Sequence, residues 1–539
     1  MITGFHIDMN IARFRCEYLK QWLQRLSNLG YDTILWEVEN NIRWDTCPEC
    51  VAADAFDKKE FKALLDYCDN LGLESIPVLQ TLGHCEYVLK HNKYKHLAEL
   101  PERIDQYCPL HPDLPDFLYK WMDEYLELFT HTKRFHIGAD EAWSLGKCPK
   151  CKHYIENNSL SELYINHVNS ISKYLLDKNI QPIIWADMVL HYPEALEMLS
   201  RDIMLCDFMY DTYRNSGQIW VWDRICDDGS SDLKTKDQLD DWTIKQFGKY
   251  IFPNNPNELE TFYTADYLSD KGFKVVTCPA SCSYPDNIFA SRTMLHIKNT
   301  FDSFKKGRKQ HLQGSILTSW TMHLLPWELQ SPSLEIPNFI LNNPRLSLED
   351  YLKFYSENHF GINDNRFFEA CELLSRGCLF THHPTLGFNK SAFATADGHV
   401  GKTICEIRNN GKLETEIGNC LICIDEYTKG IEIFNQLLLG ATKGQEEIKY
   451  WHLAGENLLN RAKTSTYFLT FNWGSEIKGN LKSKLEPHVL LAEMQTLKRR
   501  IKSFYLDQLK PDCVNNYMHW IYYPIENYFT KIGNLELNK

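Results

Sequence analysis

The 539-residue sequence lacks any apolar run long enough to cross a membrane, since none approaches the roughly 18 uncharged apolar residues that a spanning helix needs. Its first residues, MITGFHIDMN, place Asp8 where the core of an export signal would be apolar. Glycine and proline are sparse, at 26 and 21 residues, and 44% of the residues are apolar, which excludes disordered and fibrous proteins. We therefore expect a globular chain with no membrane partner and no export signal.

Positive charge is also in deficit. The sequence has 58 Lys and Arg residues against 71 Asp and Glu residues, a formal net charge of -13, so a phosphate backbone would be repelled and no nucleic-acid partner is expected. Cysteine is not scarce: its 18 residues are scattered through apolar segments instead of forming a small disulfide framework. This usage is typical of a reducing compartment and, together with the missing export signal, predicts a cytoplasmic location.

Eight short apolar or β-branched runs alternate with amphipathic segments before residue 325. They are ITGFHIDM, TILWEVE, ESIPVLQ, RFHIGAD, PIIWADM, IMLCDFM, FKVVTC and GSILTSW. Between the first two runs, Leu19, Leu23 and Leu26 have helical spacing and Gly30 ends the segment, which predicts a helix. Eight strand and helix units, with strands apolar on both faces, predict an α/β fold, a (β/α)8 TIM barrel over residues 1–345.

Two further regions complete the predicted organisation. From residue 346 to 539 the sequence is mostly helical in pattern, which predicts an α-helical C-terminal domain. The sixth unit of the barrel carries an insertion at residues 214–251, for which we expect a lid or a partner contact. Its aromatic patch suggests a homodimer through Trp220 and Trp222.

The fourth run ends in FHIGADEAW, where a barrel places its working residues. A period of two puts His136, Gly138 and Asp140 on the interior side, and Glu141 reaches the mouth only if the strand stops or kinks after Asp140. Adjacent carboxylates suit acid and base chemistry, because repulsion and burial raise one pKa while the other group stays ionised. Alone, such a pair is also typical of a solvated loop.

The ends of the other runs carry carboxylates and aromatic rings as well. Candidates for substrate contact are Asp8, Glu37, Glu39, Gln80, His84, His136, Trp185, Asp187, Asp207, Tyr210 and Trp320. Aromatic rings stack on the apolar faces of sugars while charged groups bind the hydroxyls, so this convergence predicts a sugar site.

The motif FHIGADE resembles the His-x-Gly-x-Asp-Glu motif of family 20 glycoside hydrolases, the β-N-acetylhexosaminidases. The segments IPVLQTLGHCEYVLKH, LWEVEN, IIWADM and ILTSW resemble segments of the hexosaminidase D branch in the same order. The resemblance implies a carbohydrate substrate, a glycan or glycoconjugate with a terminal β-linked N-acetylhexosamine, and substrate-assisted retaining catalysis with no catalytic cofactor.

The resemblance also implies roles for individual residues. Glu141 would be the general acid, and Asp140 would orient the 2-acetamido group of the substrate. Tyr210, with Tyr213 as a competitor, would bind the acetamido carbonyl oxygen, and Trp320 with Trp185 would wall the pocket. Many family members carry Arg three residues after the Asp of the first strand, where this sequence has Ile11, so either Arg13 or acidic residues hold the sugar and both N-acetylhexosamines remain open.

Two alternatives stay open on the sequence alone. The seventh run, KVVTCPASCSY, has no Asp or Glu to act as a nucleophile, but Asp187 or Asp207 could serve in a barrel glycosidase of the ordinary kind. The chain could also be a glycan-binding protein without catalysis, although it retains both Asp140 and Glu141.

Two Cys-x-x-Cys pairs follow the second and fourth runs. Cys47, Cys50, Cys148 and Cys151 could complete a closed tetrathiolate zinc site of structural type, because both loops lie on one face of a barrel. Free surface thiols or a redox pair are the alternatives. A third pair, Cys420 and Cys423, lies in an apolar run and is expected in the core.

Overall fold

The computed structural model describes residues 1–222, 233–321, 326–381, 396–471 and 485–537. Its strands are β1 (Ile2–Asp8), β2 (Thr33–Glu37), β3 (Glu74–Val78), β4 (Arg134–His136), β5 (Gln181–Trp185), β6 (Met204–Phe208), β7 (Ile219–Trp220), β8 (Leu233–Lys234), β9 (Lys274–Cys278), β10 (Ala280–Cys282) and β11 (Gly314–Ser319). Eight of these described strands pair side by side in the order β1, β2, β3, β4, β5, β6, β9 and β11. Strand β11 pairs in parallel with β1 and closes the barrel, so the expected eight-stranded parallel barrel is confirmed.

Helices follow the barrel strands as the sequence pattern indicates. The helices before residue 345 are α1 (Cys16–Asn28), α2 (Lys58–Asn70), α3 (Glu86–Leu89), α4 (Leu114–Leu128), α5 (Pro149–Ile155), α6 (Leu160–Leu176), α7 (Asp187–His191), α8 (Asp241–Ile251), α9 (Tyr263–Asp270), α10 (Thr293–Gly307), α11 (Trp327–Leu334) and α12 (Ile336–Asn342). In α1 the predicted stripe of Leu19, Leu23 and Leu26 is buried. Helix α6 begins with a capping box, in which Ser159 and Glu162 satisfy each other's backbone N–H groups.

The C-terminal region is helical, as expected. Its helices are α13 (Leu348–Phe360), α14 (Arg366–Leu373), α15 (Ala396–Asn409), α16 (Leu413–Gly440), α17 (Gln445–Thr470), α18 (Pro487–Gln508) and α19 (Pro511–Leu537). Cys420 and Cys423 are buried in α16, in line with the core position expected for them. Within the described ranges, no helix has both the length and the apolar character that crossing a bilayer requires.

The chain packs as two compact units. One comprises Met1–Ala280, Lys298–Ser319 and Glu335–Pro344, and the other comprises Ser281–Ile297, Trp320–Leu334 and Arg345–Lys539. The simple boundary at residue 345 stays a prediction. Of the insertion at residues 214–251, the structure describes an antiparallel pair, β7 with β8, and helix α8, while residues 223–232 lie outside the described residues. Its expected role as a lid or partner contact also stays a prediction.

Closure of the barrel depends on a glycine. Ile2 of β1 is paired with Gly314 of β11, whose φ is 131° and whose missing Cβ would overlap the backbone of Ile2. We expect Gly314→Ala to lower the thermal midpoint of unfolding by about 5 °C or more, because the added methyl group forces β1 and β11 apart.

The matched control is Gly72→Ala. Gly72 has a φ of 73° and open space where a Cβ would lie, so this variant introduces backbone strain without a clash. Thermal unfolding followed by circular dichroism compares the two, and equal losses would show that the contact at Gly314 does not limit barrel closure.

Candidate active site

The register of the barrel sends one set of side chains into its interior. Asp8 is paired with Glu37 between β1 and β2, and Val78 with His136 between β3 and β4. Trp36 has the opposite parity and packs against Phe61 of helix α2, with ring centroids 5.2 Å apart. Asp8, Glu37 and His136 therefore face the interior, as expected from the sequence for Asp8 and His136.

Glu37 is the buried anchor of this interior. Its Oε2 atom lies 2.9 Å from Nε2 of His6, and Nε2 of Gln80 donates to its Oε1 atom at 2.9 Å. Burial alone would raise the pKa of Glu37, but the contacts with His6 and Gln80 outweigh it and lower the pKa to about 2. Glu37 therefore remains ionised and fixed in place at neutral pH.

The backbone turns sharply after β4. The strand ends at His136, earlier than the alternation through Asp140 assumed, and φ is positive at Gly138, Ala139 and Glu141. A Cβ at Gly138 would overlap the side chain of Gln80, so only glycine fits there. This turn, and not a regular strand, brings both Asp140 and Glu141 to the mouth of the barrel.

A single imidazole nitrogen joins the two carboxylates. Nε2 of His84 lies 3.2 Å from Oδ2 of Asp140 and 3.3 Å from Oε2 of Glu141. Burial opposes protonation of His84, but the charges and hydrogen bonds of Asp140 and Glu141 raise its pKa well above the usual value. The structure thus brings together three residues that the sequence indicated, with a positive charge between two acids.

The two carboxylates differ in exposure. The Asp140 side chain is 8% exposed and the Glu141 side chain is 46% exposed. Burial raises the pKa of Asp140 even though His84 opposes the rise. Within the described residues, Oδ1 of Asp140 is buried and accepts no hydrogen bond. Asp140 thus presents a buried acceptor, and Glu141 presents an acid that solvent can reach.

Asp187 stabilises the same turn through a hydrogen bond to its backbone. Its Oδ2 atom accepts a hydrogen bond from the backbone N–H of Glu141 at 2.8 Å, and the hydroxyl of Tyr164 donates to the carbonyl of Ala139 at 2.9 Å. Burial, together with the charges of Asp140 and Glu141, raises the pKa of Asp187 well above its usual value. Asp187 therefore acts on the backbone that carries Glu141.

Aromatic side chains line the barrel interior next to this turn. The ring of Trp185 lies 4.5 Å from that of His136 and 5.9 Å from that of Phe208. Phe208 in turn stacks on Tyr210 at 5.2 Å and meets the edge of Trp222 at 5.3 Å. These rings form an apolar wall of the kind that sugars stack against.

The burial of Trp222 also bears on the homodimer suggested above. Trp222 is only 4% exposed, and its ring contacts His191 as well as Phe208. Because Trp222 packs inside its own chain, it does not offer a face to a second copy, and the expectation of a homodimer through Trp220 and Trp222 is not supported at Trp222.

Asp207 does not join the site. Its neighbour Cys206 is paired with Trp185, so Asp207 has the outward parity, and its Oδ2 atom accepts a hydrogen bond from the hydroxyl of Thr264 in α9 at 2.9 Å. Burial raises the pKa of Asp207 to about 7. The sequence pattern predicts Asp207 at the mouth because it leaves the strand register open, whereas in the structure Phe208 takes the inward position.

The remaining expected contacts lie at several places. Asp8 is buried and its Oδ1 atom accepts the N–H of Asn10 at 2.7 Å, while Glu39 is buried with a φ of 39°. Nε of Arg13 lies 2.5 Å from Oδ1 of Asp54, so the Arg13 guanidinium forms an ion pair with Asp54. This pairing disfavours the sugar contact considered for Arg13. Trp320 belongs to the second unit, and its part in the pocket stays a prediction.

The tyrosine candidates also separate. The ring of Tyr210 is stacked on Phe208, whereas Nζ of Lys298 lies 4.7 Å from the ring centre of Tyr213. Contact with the interior wall therefore favours Tyr210. Sequence reasoning missed His6 and Phe208 as interior residues, although the period of two from Asp8 indicates His6.

The cysteines are grouped differently from the expected tetrathiolate. Cys47 and Cys50 form a disulfide with each other. Cys148 and Cys151 instead cluster with Cys108 and Glu99, all four buried, and their ligand atoms lie within 4.8 Å of one another. This cluster could hold a metal ion, so the expected ligand set is wrong for Cys47 and Cys50, and Cys108 and Glu99 were missed.

Comparison with known proteins agrees with the motif. Residues 40–238 match the family model for the glycosyl hydrolase family 20 catalytic domain. This segment, which includes Asp140 and Glu141, is therefore similar to the catalytic domain of family 20 glycoside hydrolases.

Among individual proteins, the chain is similar to Hexosaminidase D from two mammals. It is 27% identical to the Bos taurus protein over 238 residues, which covers 40% of this chain and 69% of that protein. It is 29% identical to the Homo sapiens protein over 197 residues, which covers 35% of this chain and 40% of that protein.

Solved structures are also similar. A β-N-acetylhexosaminidase from Bacteroides fragilis has a TM-score of 0.46 at 15% identity and covers 68% of this chain and 70% of its own. A chitobiase from Flavobacterium johnsoniae has a TM-score of 0.47 at 15% identity, and the match covers 97% of this chain and 78% of the chitobiase chain.

The outward position of Asp207 predicts a pH-dependent cost to stability. Its pKa is raised to about 7, so the folded state holds a proton that the unfolded state has released, and stability falls as pH rises from about 4 to about 7. We expect Asp207→Asn to stabilise the protein at pH 8, because an amide keeps an acceptor for Thr264 without the buried charge.

Each tenfold change in proton affinity corresponds to about 1.4 kcal/mol. The free energy of unfolding that Asp207→Asn gains at pH 8 therefore has an upper bound of roughly 4 kcal/mol, and this gain falls by about half at pH 5. Thermal unfolding of both proteins across this pH range measures it. A gain that is the same at pH 5 and pH 8 would mean that Asp207 is not the group responsible.

Proposed function

We propose that this chain is an exo-acting β-N-acetylhexosaminidase that releases terminal β-linked N-acetylgalactosamine or N-acetylglucosamine from a glycan or glycoconjugate. The observation that supports this most directly is the contact of one His84 nitrogen with both Asp140 and Glu141. An aromatic wall of Trp185 and Phe208 lines the same interior, which suits a sugar ring.

Asp140 is the residue that receives the acetamido group. Its Oδ1 atom is buried and, within the described residues, lacks a hydrogen-bond donor, which the N–H of a 2-acetamido group would supply. As the acetamido oxygen attacks C1, positive charge develops on the amide nitrogen, and the neighbouring carboxylate stabilises it. Tyr210, stacked on Phe208, is the candidate donor to the acetamido oxygen.

Glu141 is the general acid. In the first step the acetamido oxygen forms a bond to C1, the bond from C1 to the glycosidic oxygen breaks, and Glu141 gives its proton to the departing oxygen. In the second step water attacks C1 of the oxazolinium, the bond from C1 to the acetamido oxygen breaks and restores the acetamido group, and Glu141 takes a proton from that water. The sugar then leaves with its configuration retained. The partial exposure of Glu141 suits both exchanges.

His84 positions the two acids. A protonated imidazole between Asp140 and Glu141 offsets their repulsion and holds both carboxylates toward one point. None of these steps requires a cofactor, because the nucleophile comes from the substrate and the proton comes from Glu141.

The alternative of a carboxylate nucleophile fits less well. Asp187 accepts the backbone N–H of Glu141, and Asp207 is turned toward Thr264 in α9. Strand β9, the seventh of the barrel, has the sequence KVVTC and carries no acid. The groups that could replace the acetamido oxygen are therefore engaged elsewhere, which favours the substrate-assisted route.

Substitution of the two acids tests the proposal. We expect Glu141→Gln and Asp140→Asn each to lower kcat/KM by about 100-fold to 10,000-fold, since one loses the proton donor and the other loses the negative charge beside the amide nitrogen. Chromogenic N-acetylgalactosaminide and N-acetylglucosaminide substrates measure the change. Glu156→Gln, at an exposed residue that follows α5, is the control and keeps full activity. Equal activity in all four proteins would end the proposal.

An inhibitor separates the two glycosidase mechanisms. A thiazoline analogue of the N-acetyl sugar mimics the cyclic intermediate, so we expect it to bind the wild type at least about 100-fold more tightly than the free sugar does. The advantage should largely disappear in Asp140→Asn, which lacks the carboxylate beside the ring nitrogen. Inhibition constants measure both effects, and an analogue no tighter than the sugar would favour a carboxylate nucleophile.

A further inference from the structure

Three buried thiols and one buried carboxylate meet where helix α5 begins, shortly after Asp140 and Glu141: Cys148 and Cys151 lie at the start of this helix, and Glu99 and Cys108 come from an earlier loop. Cys148 lies seven residues after Glu141 in the sequence. The Sγ atom of Cys108 lies 3.6 Å from that of Cys148 and 3.7 Å from that of Cys151, and Oε2 of Glu99 lies 3.3 Å from Sγ of Cys151.

These separations match the edges of a tetrahedron around zinc. With zinc to sulfur bonds of about 2.3 Å, two sulfur ligands lie about 3.8 Å apart, and a sulfur and an oxygen ligand lie about 3.6 Å apart. A disulfide between two of these cysteines would instead need a separation of about 2.05 Å. The Cys108 sulfur is therefore spaced from the other two sulfurs as a second ligand of one ion would be, and not as a bonded partner, and all four ligand atoms lie within 4.8 Å of one another.

The surroundings hold the ligand atoms in place. The backbone N–H of Cys148 donates to Oε1 of Glu99 at 2.8 Å, which leaves Oε2 directed at the thiols. The backbone N–H of Cys151 donates to Sγ of Cys148 at 3.4 Å. Such contacts orient metal ligands from behind.

Glu99 also needs a positive partner. It is only 1% exposed, and in the part of the chain that the structure describes no lysine, arginine or histidine forms an ion pair with it. A buried carboxylate without a cation is costly, and a divalent ion would balance it together with the thiolates. This requirement is independent of the spacing of the sulfurs.

We propose that Cys108, Cys148, Cys151 and Glu99 bind one zinc ion in a closed, four-coordinate site. Thiolate-rich tetrahedral ligand sets select zinc among the common ions, and four protein ligands leave no open position for a substrate. The site is thus structural, and it differs from the four-thiol set that the sequence suggested because Cys47 and Cys50 are bonded to each other.

The position of the cluster gives the zinc a specific task. Glu99 and Cys108 lie at the two ends of one loop, residues 99–108. Two backbone hydrogen bonds join this loop to the segment around His84: the N–H of Tyr107 donates to the carbonyl of Leu82 at 2.9 Å, and the N–H of Cys85 donates to the carbonyl of Asp105 at 3.1 Å. In the same loop, Oε1 of Gln106 accepts a hydrogen bond from the backbone N–H of Ser144 at 2.7 Å. Zinc would therefore tie the loop that supports His84 to the loop that carries Glu141.

Metal content is the direct test. Wild-type protein produced with zinc and dialysed should hold about one zinc per chain by mass spectrometry. Cys108→Ser and Cys151→Ser should each lose at least nine-tenths of it, while Cys68→Ser, at a buried thiol in α2 outside the cluster, should keep it. The double variant Cys47→Ser with Cys50→Ser should also keep it. Zinc-free wild type, or equal zinc in Cys151→Ser, would overturn the proposal, and loss of zinc in the double variant would overturn the ligand set.

A second measurement on the wild type guards against serine variants that fail to fold. Cobalt in place of zinc should show thiolate-to-metal charge-transfer absorption, and a mercurial reagent should release the metal as three thiols react. Removal of the metal should lower the thermal midpoint by about 5 to 10 °C, with recovery on adding zinc alone. Absence of the charge-transfer band would contradict thiolate ligation. These readouts are independent of sugar hydrolysis, so their failure leaves the proposed activity in place.

Discussion

The contact of one imidazole nitrogen with two neighbouring carboxylates is the interaction on which the site depends. Asp140 and Glu141 are adjacent in the sequence, and partly buried like charges repel each other strongly unless a cation lies between them. His84 supplies that cation, and its own pKa is raised because both acids contact it. Remove the imidazole, and the energetic reason for the two side chains to face one point is lost.

The backbone has to be bent on both sides to make this contact. His84 and Glu141 both have positive φ values, of 53° and 46°, which side chains other than glycine rarely adopt. The strain is tolerated because surrounding groups fix each turn: Asp187 holds the N–H of Glu141, and Gly83 lets the carbonyl of Asp140 approach closely. Sites of this kind persist where the scaffold around them is rigid, and a closed parallel barrel provides such a scaffold.

The sequence predicts the barrel and the location of Asp140 and Glu141 after its fourth strand well, because both depend on local patterns. Eight apolar runs imply eight strands, and FHIGADE marks the end of the fourth. It predicts side-chain direction less well, since direction depends on register: Asp207 faces helix α9 and Phe208 the interior, a difference of one residue. Partners distant in the chain are harder still. Cys108 and Glu99 meet Cys148 only because a loop returns to the mouth, and no spacing rule predicts that return.

The cysteine cluster and the adjacent acids Asp140 and Glu141 belong to one structural problem. A general acid has to be open to substrate and water, and residues on exposed loops are the most mobile part of a fold. In the role proposed for it, Glu141 is open to substrate and water because its side chain is half-exposed. The residues that follow it therefore have to hold its loop in place. Ser144 is held by Gln106, and Cys148 and Cys151 are held against Cys108 and Glu99, so the loop is anchored twice within ten residues of the acid. Because the anchoring loop also bonds to the segment around His84, the acid and the imidazole that orients it are positioned by the same element.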